Sequence, residues 1–192
     1  WFLCVTLVHL ALGYRDRLRT AVRKRTKGLE RRLAFEQMVL DRSCRFVRLD
    51  VDELDGEIER TLAEIGRFAG ADRSSLFLLR DGGTLDNTHE WCAQGIEPAK
   101  EQLQGIPGCA IPWWLAQLER GEAIHIPHVD DLDGEASSER TFLQAHGVRS
   151  VVVVPLFAGA SLTGFLGFVA VREERRWPED MVAMLHIGAS IL

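Results

Sequence analysis

Nothing in the chain restricts its fold more than RSVVVVPLF (149–157), followed after Ala158-Gly159-Ala160-Ser161 by LTGFLGFVAVR (162–172). A β-branched run this continuous has no polar alternation, so a strand built from it must be covered on both faces. That demands a layered domain with a sheet in the middle. The short turn makes the two segments an antiparallel hairpin. Pro155 belongs at an edge or bulge, and Gly164 and Gly167 permit bends or close packing in the second strand.

A second hairpin lies upstream. SSLFLLR (74–80) reads as a strand, Asp81-Gly82-Gly83 as its turn and residues 84–94 as the return strand. The return strand carries THEWCAQG (88–95), a dense set of polar and aromatic residues. Alternation places His89, Trp91 and Ala93 on one face and Thr88, Glu90 and Cys92 on the other, so His89 and Cys92 do not form a site together. Before this hairpin, Leu54, Ile58, Leu62, Ile65 and Phe68 recur at helical spacing. They predict a helix from about Glu53 to Ala69, capped by Asp50 or Asp52 at its start and by Gly70 at its end.

Between the hairpins, GIPGCAIP (105–112) reads as loop, and Pro112 opens a short helix, WWLAQLERG, that ends at Gly121. AIHIP (123–127) follows as a strand, DDLDGEASS as an acidic loop, and Ser138–His146 as a helix closed by Gly147. Pro178, Glu179 and Asp180 open a last helix with Met181, Met184, Leu185 and Ile191, expected to run on through Leu192.

Charge divides the chain in two. Residues 1–50 hold 12 Lys/Arg against 5 Asp/Glu, whereas residues 51–192 hold 11 against 23. The acidic larger part argues against nucleic acid as a partner. The basic part opens with the 14-residue apolar run WFLCVTLVHLALGY, followed at once by RDRLRTAVRKRTKGLERR. A spanning helix needs about 20 apolar residues. Residues 1–14 are therefore read as the end of a truncated transmembrane helix, with the basic flank on the cytoplasmic side. Residues 15–48 read as a basic linker helix. Within it Val22, Thr26, Leu29, Leu33, Glu36 and Leu40 alternate by four and three, which suggests a short coiled-coil seam and a homodimer; a solvated helix fits the same residues.

Cys4, Cys44, Cys92 and Cys109 include no CxxC pair, so neither a zinc site nor a disulfide framework is indicated. Trp91, Trp113 and Trp114 suit either a pocket wall or a packed core. His125 and His128 bracket Pro127, a geometry compatible with haem or metal ligation, though hydrogen bonding is the plainer role. Asp130–Asp133 with Glu135 lacks the glycine-punctuated pattern of a calcium loop. Cys109 is either a reactive thiol or a small buried residue.

Taken in order, ADRSSLFLLRDGG, THEWCAQGI, ERGEAIHIPHVDDL, HGVRSVVVVPLFAGASLTGFLGFVAVR and RRWPEDMVAML resemble the GAF domain over residues about 50–192. The resemblance implies an α+β fold in α/β/α layers. It would contain an antiparallel sheet of five to six strands, the first and last helices together on one face, and a variable region (about 96–148) closing a small-molecule pocket on the other. Trp91, Cys109, Trp113, Trp114, His125 and Phe142 are the expected ligand contacts. No NKFDE-type set and no cysteine–histidine attachment motif is present, so the resemblance names no cofactor; no catalytic residue and no metal ligand is assigned. The implied function is a sensory module of a membrane-anchored bacterial signalling protein. It would bind a small ligand or mediate dimerisation, and would relay a change to an output domain beyond residue 192, of histidine kinase or diguanylate cyclase type. The domain itself would lie in the cytoplasm at the inner membrane. The alternative is a thiol-based redox enzyme or sensor of the free methionine sulfoxide reductase type, centred on Cys109.

Overall fold

A computed structural model describes residues 2–191. The side chains of residues 1–13 and of several others before residue 25 lie outside the described set, and with them all but Tyr14 of the segment 1–14 read as membrane-spanning. No helix among the described residues is long and apolar enough to cross a membrane. The chain divides into two compact units, Trp1–Asp41 and Arg42–Leu192.

The first unit consists of most of helix α1 (Phe2–Phe46). Among its described side chains, Val22, Leu29, Leu33 and Leu40 are each more than half exposed. Arg32 and Glu36 pair one turn apart on its surface at 2.9 Å.

The second unit is a six-stranded antiparallel sheet with helices on both faces. Its elements run α2 (Leu54–Ala69), β1 (Arg73–Arg80), β2 (Thr84–Cys92), β3 (Ile106–Pro107), α3 (Pro112–Glu119), β4 (Ile124–Ile126), α4 (Ser137–Ala145), β5 (Ser150–Ala158), β6 (Ser161–Ala170) and α5 (Glu179–Ala189). Strand order is β3-β2-β1-β6-β5-β4. The two hairpins thus sit side by side through β1 and β6, with short strands at each edge. The expected α+β architecture is the observed one.

The continuous apolar run lies where covering on both faces is available: Ser150 through Leu156 are buried. Val151 and Val153 join Phe77, Leu85, Trp114, Leu118, Leu143 and Phe165 in a cluster under α3 and α4. Val152, Val154, Leu166 and Phe168 take the alternate positions, buried on the face covered by α2 and α5. Each fully buried side chain of this size contributes about 1.5–3 kcal/mol. Pro155 avoids a lost ladder bond because β4 pairs only with Val151–Val153, leaving Pro155 past its end. Gly164 is a close approach: a Cβ there would stand 2.0 Å from the Phe77 carbonyl oxygen on β1.

Local expectations fail in three places. Neither Asp50 nor Asp52 caps α2; a single 3₁₀ turn, Val51–Glu53, leads into it, and Asp50 makes no side-chain cap. The stop at Gly70 is as read, with φ at 67°. The segment read wholly as loop contributes β3, whose Ile106 and Pro107 pair with Leu85 and Thr84. The last helix stops at Ala189 rather than continuing through Ile191.

The last turn of α1 belongs to the second unit and is tied to α2 by charge. Arg42 forks onto Glu64, with Nε donating to Oε2 at 2.8 Å, and reaches the buried Glu57 at 2.5 Å. Arg60 and Arg45 also meet Glu57, at 2.6 and 3.2 Å. A carboxylate buried this deeply is tolerated because it is paired.

Candidate functional site

The candidate site is a cavity between the sheet and its α3/α4 cover. It encloses about 40 Å³ that a water-sized molecule can occupy, or about 440 Å³ when all the open space at its mouth is counted, and its wall comes from β1, β5, β6, α3 and α4. The apolar part of the wall is aromatic and branched. Phe77 and Phe165, opposite one another on β1 and β6, stack at 4.7 Å, and Trp114 meets Phe165 edge-on at 6.1 Å. Phe142, Val151 and Val153 also line it. Gly167 faces the cavity too, and a Cβ built there would meet nothing within 4 Å.

Polar groups enter the wall through Arg73, Ser75 and His146. The Nδ1–H of His146 donates to the Phe142 carbonyl at 2.8 Å, since a carbonyl can only accept. Arg73, on the first residue of β1, is buried, and its Nε stands 3.6 Å from Glu90 Oε1.

Glu90 anchors the loop at this end. Its Oε1 accepts from Asn87 Nδ2 at 3.1 Å and Ser75 Oγ at 3.3 Å, and its Oε2 from the backbone amides of Ala99 and Lys100 at 2.8 and 3.0 Å. Asn87 and Glu90 are three residues apart yet turn to the same side. The β1–β2 register explains this: Leu76 opposes His89 and Phe77 opposes Asn87, so Thr88 is the extra residue of a bulge. Simple alternation grouped Thr88 with Glu90, and the structure puts Asn87 there instead. Alternation holds beyond the bulge. His89 Nε2 lies 3.1 Å from Asp55 on α2, and Trp91 packs on α2 with Arg67 over its ring at 5.2 Å.

The cover is held together by another buried carboxylate. Glu139 on α4, fully buried, accepts the Trp113 and Trp114 amides at 2.8 and 3.2 Å, capping the start of α3. Ile111, the residue in the capping position, has no oxygen to offer.

Of the six residues named from sequence, Trp114 and Phe142 line the cavity. Trp113 packs at the edge of the same cluster. Trp91 is on the opposite face of the sheet, against Gly66 of α2. His125 is turned to the segment before α5, where its Nε2 accepts the Trp177 amide at 3.3 Å. Burial, with help from the Arg176 charge, pulls its pKa below the usual histidine range. Cys109 is exposed. Cys92 lies near Glu90, and burial followed by that negative charge pushes its thiol up to about 11. Arg73, Ser75 and His146 were not singled out from sequence. Nothing in the sequence marks them: β1 (RSSLFLLR) carries other polar residues, and His146 follows the largely polar α4. Among the described residues no group of three His, Cys, Asp or Glu side chains is placed to hold a metal ion.

Known proteins place this architecture. The methanogenesis regulatory histidine kinase FilI of Methanothrix harundinacea is 29% identical over 149 residues, covering 74% of this chain. The match spans only 16% of that relative's length. The phycocyanobilin-bound GAF domain of a cyanobacterial phytochrome superposes with a TM-score of 0.67 at 23% identity, over 82% of this chain and 91% of that one. The blue-light-absorbing form of the Thermosynechococcus elongatus PixJ GAF domain gives 0.62 at 21% identity, over 74% and 85%. At such identities these two likenesses concern the fold alone. Residues 53–191 match the GAF domain as a family. With the sheet order, the two-faced helical cover and this match in agreement, the chain belongs to the GAF domain family.

Proposed function

We propose that this chain is the sensory segment of a membrane-anchored signalling protein, in which a small ligand enters the cavity under α3 and α4. The observation that carries this is the cavity itself, an aromatic and branched wall into which the buried Arg73 and Ser75 and the half-buried His146 enter. The ligand acts by favouring one packing of the cover over another, because only differential affinity for two states moves an equilibrium. The Arg42–Glu57–Glu64 clamp gives the last turn of α1 a rigid hold on α2. The exposed Val22, Leu29, Leu33 and Leu40 supply a seam for a second copy of α1. The apolar start and basic flank support anchoring in the inner membrane with the domain in the cytoplasm. The likeness to a histidine kinase favours an output of that class. The thiol alternative centres on Cys109, which is exposed; Cys92 is a poor second thiol for it, being held protonated at neutral pH.

The test is a thermal-denaturation screen of the full chain against a metabolite library, repeated with Gly167→Val. The added side chain has room to project into the cavity, so it should abolish any ligand-induced shift without lowering the melting temperature of the free protein. A ligand shift that survives Gly167→Val refutes the cavity as the site. The dimeric seam is tested by single cysteines along residues 22–40 in membranes; no symmetric cross-link at any of them refutes it.

A further inference from the structure

Arg73 carries a ligand class, given the reading of the cavity as a ligand site. A guanidinium has five N–H donors and, when buried, normally spends them. Among the described residues Arg73 makes one hydrogen bond, from Nη1 to the Glu97 carbonyl at 3.5 Å, the long limit for such a bond. Its approach to Glu90, at 3.6 Å, is an ion pair without a hydrogen bond. Glu90 accepts from four neutral donors, two of them backbone amides, and so has its acceptor sites filled without the fork of Arg73. Donors are therefore left over on a buried cation in the wall of a cavity whose remaining surface is mostly aromatic and branched.

The complement to a planar fork of N–H donors is a pair of coplanar oxygens. A carboxylate fits this with one residue. A phosphate monoester carries more charge and more acceptors than one guanidinium satisfies, and the hydroxyl of Ser75 already donates to Glu90. The wall formed by Phe77, Trp114, Phe142 and Phe165 asks for an apolar or aromatic body behind the charged end. We propose that the cavity binds a small organic monocarboxylate, its two oxygens on Arg73 and its apolar body among these rings.

The probes are benzoate and phenylacetate, compared by calorimetry and thermal shift with benzamide and phenylacetamide, on the full chain. These pairs share shape and differ in charge. The acids should bind at least about tenfold more tightly than the amides, a difference of about 1.4 kcal/mol. Arg73→Gln should remove that preference and leave amide binding unchanged. Equal or tighter binding of the amides overturns the carboxylate while leaving the cavity a ligand site. Binding by none of the four overturns the proposal and counts against the ligand site as well. Loss of Arg73 strips Glu90 of its nearest cation, so if the variant does not fold, the acid–amide comparison on the unaltered chain decides the matter.

Discussion

Replacing Glu90 with leucine tests whether this carboxylate organises the polar end of the cavity. The side chain is 3% exposed and its partner Arg73 is 7% exposed, so neither group reaches bulk water to recover its solvation. Removing one member of a buried pair costs about 3–5 kcal/mol, chiefly because the other charge is left uncompensated. The amides of Ala99 and Lys100 also lose their acceptor. For a unit of this size each kcal/mol lowers the melting temperature by about 2–4 °C. Glu90→Leu should therefore melt about 6–20 °C below the unaltered chain, followed by circular dichroism and by urea titration. The decisive comparison is the double variant with Arg73→Met. Once the stranded cation is gone, only the orphaned amides remain unfavourable, so the double variant should be more stable than Glu90→Leu alone. If the two substitutions add to within about 0.5 kcal/mol, the charges are uncoupled and the argument is refuted.

Other consequences follow from the packing and the titratable groups. Gly66→Ala would put a Cβ 2.7 Å from two ring atoms of Trp91 and 2.9 Å from Ser74 Oγ, so it should destabilise the fold by about 1–3 kcal/mol in urea titration, and Trp91→Leu in the same chain should restore the part of that loss due to the ring. His125 accepts a hydrogen bond at Nε2 and has a depressed pKa, so the unfolded chain takes up its proton first. Its contribution to stability should be intact above about pH 6.5 and fall as the pH drops below that toward the folded value; His125→Gln should flatten the melting temperature over that window. A thiol moved from 9.0 to about 11 has roughly 100-fold less thiolate at neutral pH, so iodoacetamide should modify the exposed Cys109 well before Cys92, as read by peptide mass spectrometry. Equal rates in the native state would contradict the burial of Cys92.

Much of this molecule is local and was legible as such. The β-branched run Val151–Val154, the glycine turns at 82–83 and 159, the stop at Gly70 and the stripe Leu54–Phe68 each express a preference of neighbouring residues for one backbone geometry. Those preferences, with the need to cover a strand on both faces, were enough to determine a layered sheet with two hairpins and its helices. The site was not local. Whether Thr88 or Asn87 shares a face with Glu90 depends on a bulge, and the bulge exists only in the pairing of β2 with β1. The amides opening α3 are capped by Glu139, 26 residues from Trp113 along the chain, and no pattern around Ile111 announces a cap from another helix. Trp91 and Trp114 looked equivalent in sequence, yet the sheet separates them onto opposite faces. Arg73 fell just outside the strand read at 74–80, and only the fold buries it. Sequence alone determined the elements and the layers, because both arise from short-range backbone and hydrophobic preferences. Only the tertiary structure decided which polar groups meet in the cavity, because strand register and long-range contacts set their solvation and their partners.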